Sequence, residues 1–104
     1  MFEEFFSRRL AGLREAKKVS AREMSLSIGQ NESYINRIEN GKAFPSMQGF
    51  FYICEYLGIT PEEFFNGAAA DPSRVRQLAE QMERLSPVQL ALIEELVRQL
   101  LHDR

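Results

Sequence analysis

Residues 20–41 read SAREMSLSIGQNESYINRIENG, and the order of signals within them decides the fold. Ser20-Ala-Arg-Glu23 is a capping box, in which the serine hydroxyl accepts from the third helical amide and the glutamate reaches back. It opens a short helix that turns Met24 and Ile28 inward and stops at Gly29. Asn31 is a suitable cap for a following helix, expected over about 32–40 and ended by Asn40-Gly41. Only Gly29, Gln30 and Asn31 separate the two helices.

Two short helices joined by a tight turn containing glycine form a helix-turn-helix arrangement. Stepping roughly 100° per residue shows what the second of them displays. With Ile35 and Ile38 inward, Ser33 and Asn40 point outward, and Asn36 and Arg37 lie close to that direction. Tyr34 and Glu32 fall on opposite flanks. The outer face is therefore small or planar and polar, suited to base edges and phosphates.

Outward from this stretch, helical signals recur in both directions. Phe2, Phe6, Leu10 and Leu13 form an apolar stripe that predicts a first helix over about 2–17. Pro45-Ser46 starts a fourth helix with Met47, Phe50, Ile53, Cys54 and Leu57 inward and Gly58 as its stop. Thr60-Pro-Glu-Glu63 is a second capping box, opening a short fifth helix that ends near Phe65. Asn66-Gly-Ala-Ala-Ala70 looks like a joint. Asp71-Pro72 caps a sixth helix with Val75, Leu78, Ala79, Met82 and Leu85 at helical spacing, and Ser86-Pro-Val-Gln89 caps a seventh reaching about Leu101. The expected fold is all-α, with a five-helix unit over 1–66, a linker over 67–71 and a two-helix hairpin over 72–104.

The net charge of the 104 residues is −2, which taken whole argues against a nucleic-acid binder. Its distribution removes that objection and permits DNA binding without establishing it. Residues 8–42 hold eight Lys/Arg (Arg8, Arg9, Arg14, Lys17, Lys18, Arg22, Arg37 and Lys42) against four Glu, a local balance of +4. Local fields govern encounter with a polyanion, although a solvated helix face has the same composition. A hydrophobic content of 44% is enough for a packed core. No apolar run approaches the roughly 20 residues that span a bilayer. The two acids ahead of the first base do not suit a secretory signal. A cytoplasmic location without membrane attachment is the expectation.

From about Phe6 to Phe65 the chain resembles the Cro/cI-type (XRE) helix-turn-helix domain, the fold of the lambda and 434 phage repressors. The residues that carry the resemblance are RRLAGLREAKKVS, EMSLSIGQNESYINRIENGK and PSMQGFFYICEYLGITPEEFF. It implies double-stranded DNA as partner, a homodimer, and the third helix lying in the major groove. Residue by residue, it places Glu32, Ser33, Asn36 and Arg37 where such domains read bases. It puts Ser33, Asn40, Lys42 and Arg22 near phosphate, and makes Arg14 and Glu39 a structural ion pair. Two departures stand out. Ala21 occupies the place of a glutamine that grips the sugar-phosphate backbone in relatives. Glu32 brings a negative charge toward phosphate; it supports the helix dipole, accepts from cytosine, or disfavours wrong partners.

Helix 7 is apolar around much of its circumference, and Phe51, Tyr52, Tyr56, Phe64 and Phe65 exceed what a small core needs. The sixth and seventh helices are the natural cover for these aromatics. Leu92, Ile93, Leu96, Val97 and Leu100 are the expected dimerisation residues. A two-fold dimer sets its reading helices about 34–36 Å apart on a pseudo-palindromic site. Cys54 belongs to the buried stripe of the fourth helix, and the single histidine, His102, favours a helix C-terminus. With no second Cys or His there is no expectation of a metal, and no cofactor or catalytic set is read from the chain. The leading expectation is a sequence-specific, dimeric repressor; the rival is a protein-interaction module such as an antitoxin or the binding half of a regulator pair.

Overall fold

The structure, a computed structural model, describes residues 2–67 and 71–102. Seven helices follow in order: α1 (Phe2–Ala16), α2 (Ala21–Ser27), α3 (Tyr34–Glu39), α4 (Met47–Leu57), α5 (Pro61–Asn66), α6 (Pro72–Met82) and α7 (Pro87–His102). There is no strand among the described residues. The chain divides into two compact units, the first ending at Ser73 and the second beginning at Arg74. Residues 68–70 of the expected linker lie outside the described residues.

In the first unit one core joins α1 to α5. Leu10, Met24, Ile35, Ile53 and Phe64 are fully buried, and Phe6, Leu13, Ile38, Phe50, Cys54 and Leu57 complete the cluster. Burial raises the Cys54 thiol from its ordinary value to about 11, so it stays protonated and behaves as a small apolar residue. Phe6 is the hub of the aromatic packing, with ring centroids 4.8 Å from Phe64, 5.8 Å from Phe50 and 5.2 Å from Phe44. Arg9 then ties α1 to the end of α5, donating to the carbonyls of Phe64 (2.7 Å) and Glu63 (2.9 Å).

The local start signals operate as hydrogen bonds. Ser20 accepts from the Glu23 amide and Ser46 from the Gly49 amide. Thr60 and Glu63 exchange both bonds of a capping box, as do Ser86 and Gln89. Two stripe residues differ from expectation. Phe2 and Met47 are exposed (78% and 65%), because each is the first residue of its helix. Helical side chains lean toward the N-terminus, so a first-turn residue overhangs the end of the core even on the correct face.

In the second unit, α6 and α7 are joined through residues 83–86. The inward stripe expected of α6 is uncovered: Val75, Leu78 and Ala79 are exposed, while Met82 and Leu85 are half-buried. No residue of α7 is buried, and Leu92, Leu96, Val97, Leu100 and Leu101 are all exposed. A stripe at the right spacing needs a partner surface, and two helices alone supply too little. Among the described residues, no helix is long and apolar enough to cross a membrane.

The α3–α4 packing has one tight point. A Cβ added to Gly49 would stand 2.5 Å from the Tyr34 hydroxyl and 3.3 Å from Ser46 Oγ. Gly49→Ala is expected to lower stability by about 1 kcal/mol, because overpacking outweighs the gain in helix propensity. In a Tyr34→Phe background the same change should cost less, as read by urea denaturation. Equal losses in the two backgrounds would remove Tyr34 as the cause.

Candidate nucleic-acid interface

The turn between α2 and α3 is built from backbone requirements. Gly29 adopts φ +78°, where a Cβ is disfavoured, and the Gln30 amide returns to the Ser25 carbonyl (2.9 Å). Asn31 then accepts from both the amide (3.0 Å) and the hydroxyl (2.9 Å) of Ser33. This Asx turn delays the helix. α3 begins at Tyr34, not near residue 32, and Ser33, its flanking residue, makes no side-chain cap bond. Asn31 therefore organises the turn rather than capping the helix, and Glu32 lies in the turn rather than in a first helical turn.

The missing cap comes from α2. Ser25 is fully buried, donates to the Ala21 carbonyl (2.7 Å) and accepts from the Ile35 amide (2.9 Å). One hydroxyl thus satisfies an orphan amide of α3 from the preceding helix. Sequence reading passed over this residue. The available signal was a small polar side chain beside the inward-facing Met24.

The other end of α3 is held by α1. Arg14 and Glu39 form a two-point pair, Nε to Oε2 at 2.7 Å and Nη2 to Oε1 at 3.0 Å, with side chains only 17% and 11% exposed. Arg14 also donates to the Val19 carbonyl, and Ser7 to that of Ile38 (2.8 Å). The hydrogen bonds it donates to the Glu39 carboxylate are the main reason the Arg14 guanidinium holds its proton more tightly than usual. Gly41, at φ +72°, lets the Lys42 amide close on the Arg37 carbonyl (2.8 Å), fixing where Lys42 leaves the helix.

The outward residues differ in their engagement. Asn40 donates from Nδ2 to the Asn36 carbonyl (2.8 Å) and to Asn36 Oδ1 (2.9 Å). Ser33 is committed to Asn31 as a donor and retains acceptor capacity. Arg22 and Glu32 pair with each other at 3.0 Å, a contact that sequence reading did not foresee. Arg37 and Lys42 are exposed, and neither side chain has a hydrogen-bond or ion-pair partner among the described residues. Glu32, Ser33, Asn36, Arg37 and Asn40 all lie exposed on the turn and helix that Ile35 and Ile38 anchor to the core. Among the described residues, no group of His, Cys, Asp or Glu is placed to hold a metal ion.

This geometry is that of a helix-turn-helix domain, a DNA-binding regulatory class. A family model described as a helix-turn-helix domain matches residues 7–70, more than half of the chain, and the protein belongs to that family. Neither a curated protein nor a solved structure matches it.

Ser25→Ala leaves the buried Ile35 amide without an acceptor, which typically costs about 1–3 kcal/mol. The expected result is a loss of that size in denaturant unfolding, with faster amide exchange at Ile35. Unchanged exchange there would show that α3 does not depend on the Ser25 hydroxyl.

Proposed function

We propose that the protein is a sequence-specific transcriptional regulator, a dimeric repressor that lays α3 in the major groove of a pseudo-palindromic operator. The observation that carries this reading is the construction of α3. A six-residue helix is fastened at both ends, by Ser25 and by Arg14–Glu39, and its outer face holds Asn36, Arg37 and Asn40. Polar groups held rigidly on a projecting helix are what base readout requires. Glu32, Ser33, Asn36 and Arg37 are assigned to bases, and Ser33, Asn40, Lys42 and Arg22 to phosphate.

The mechanism is occlusion. Lys and Arg bring the domain to the phosphates, α3 sets the register, and the bound dimer blocks polymerase. Arg37 is the leading specificity residue, since its guanidinium is unengaged and a two-point contact to guanine is the commonest specific pairing. Selection of bound sequences from a random DNA pool tests the reading directly. Arg37→Ala should cost about 1–3 kcal/mol on the selected site and flatten preference at one base position. Wild-type binding no tighter to any selected sequence than to random duplex at low salt would overturn it.

Dimerisation is assigned to Leu92, Ile93, Leu96, Val97 and Leu100 of α7, four of which are exposed and the fifth half-buried. That surface is also what favours the second reading, a protein-interaction module in which α7 matters more than α3. The DNA selection above separates the two readings, and sedimentation at tens of micromolar tests the dimer. The wild type should run as a dimer and a Leu96→Glu/Leu100→Glu variant as a folded monomer with weakened operator binding. A monomeric wild type would remove the dimer.

A further inference from the structure

Arg22, near the start of α2, and Glu32, in the turn before α3, form an ion pair across the opening of the motif, Nε to Oε2 at 3.0 Å. The side chains are 69% and 66% exposed, and pairs so open to water add little to folding stability. Fold stability therefore does not account for an acid on the face that meets a polyanion.

We propose that Glu32 is a specificity-determining residue that holds Arg22 off the phosphates on mismatched DNA and frees it where the groove presents a cytosine amino group. This rests on the DNA-reading function above. A mask that weakened every complex equally would give no discrimination, so its release must depend on sequence. The chemistry supplies that dependence. An ionised carboxylate only accepts hydrogen bonds. In the major groove guanine offers O6 and N7, and thymine O4, all acceptors, whereas cytosine offers its N4 donor. Opposite guanine or thymine, Glu32 keeps Arg22 and cancels its charge. Adenine sets an acceptor beside its donor and satisfies a carboxylate poorly. At cytosine the carboxylate turns to the amino group, and the released guanidinium takes the nearby phosphate. Glu32 thus reads one base and makes a phosphate contact conditional on it.

The test is a salt titration of duplex affinity with the full chain, on random duplex and on the duplex recovered by selection. Each phosphate neutralised adds about 0.9 to the magnitude of the log–log salt slope. Glu32→Gln should steepen the slope on random duplex by about that amount and tighten binding several-fold, leaving the slope on the selected duplex unchanged. Repeating the selection with Glu32→Gln should replace a cytosine preference by adenine, the base that glutamine pairs with. In an Arg22→Ala background Glu32→Gln should not alter the random-duplex slope. An unaltered slope for the single variant, or equal steepening without Arg22, overturns the inference while wild-type sequence preference leaves the DNA reading standing. Absence of any wild-type preference removes the reading and the inference together.

Discussion

Six residues are too few for a helix to persist in water, so α3 exists because its neighbours satisfy its ends. It buries only Ile35 and Ile38, since the rest of its circumference must remain polar. The deficit is met by directional bonds from outside. Ser25 supplies an acceptor to the Ile35 amide, Ser7 donates to the Ile38 carbonyl, and Arg14 grips Glu39 at two points. These bonds come from α2 and α1, so the orientation of the outer face is set by the frame rather than by the helix's own propensity. Arg14 and Glu39 are mostly withdrawn from water, and removal of either would strand a charge beside the core.

What could be read from the sequence follows from which interactions are local. Ser20, Ser46, Thr60 and Ser86 each bond to an amide three residues on, a distance that a pattern of residue types encodes. The stripes of α1 and α4 were legible for the same reason. A helical wheel carries no coordinate along the axis, which is why Phe2 and Met47 share a face with buried residues yet lie beyond the core. Ser25 and Ile35 are ten positions apart, as are Arg22 and Glu32, and nothing in local periodicity relates them. The start of α3 was misread because Asn31 suits a helix cap and an Asx turn equally. Only the turn geometry separates the two roles.

The acidic net charge and the DNA-binding class are compatible because charge is segregated along the chain. Residues 8–42 carry a balance of +4 inside a chain of −2. At physiological salt, exposed charges separated by more than about 8 Å are largely screened, so an approaching phosphate responds to what lies nearest. The acids that reverse the total stand mostly outside the segment that builds α2 and α3.

The hydrogen-bonding balance of the outer face has a consequence of its own. Asn40 donates to Asn36 Oδ1, which leaves the Asn36 amide nitrogen as that side chain's free donor. Arg37, Lys42 and Arg22 are donors only. Guanine and thymine present acceptors in the major groove, and donors of this kind are complementary to them. Glu32 is its only carboxylate, and Ser33 retains only acceptor capacity once bound to Asn31. A reader made of donors alone would tolerate many sequences, because every base pair presents acceptors in the major groove. One acceptor that repels the wrong edge adds discrimination that further donors would not supply. The cost of such an acceptor falls on overall affinity.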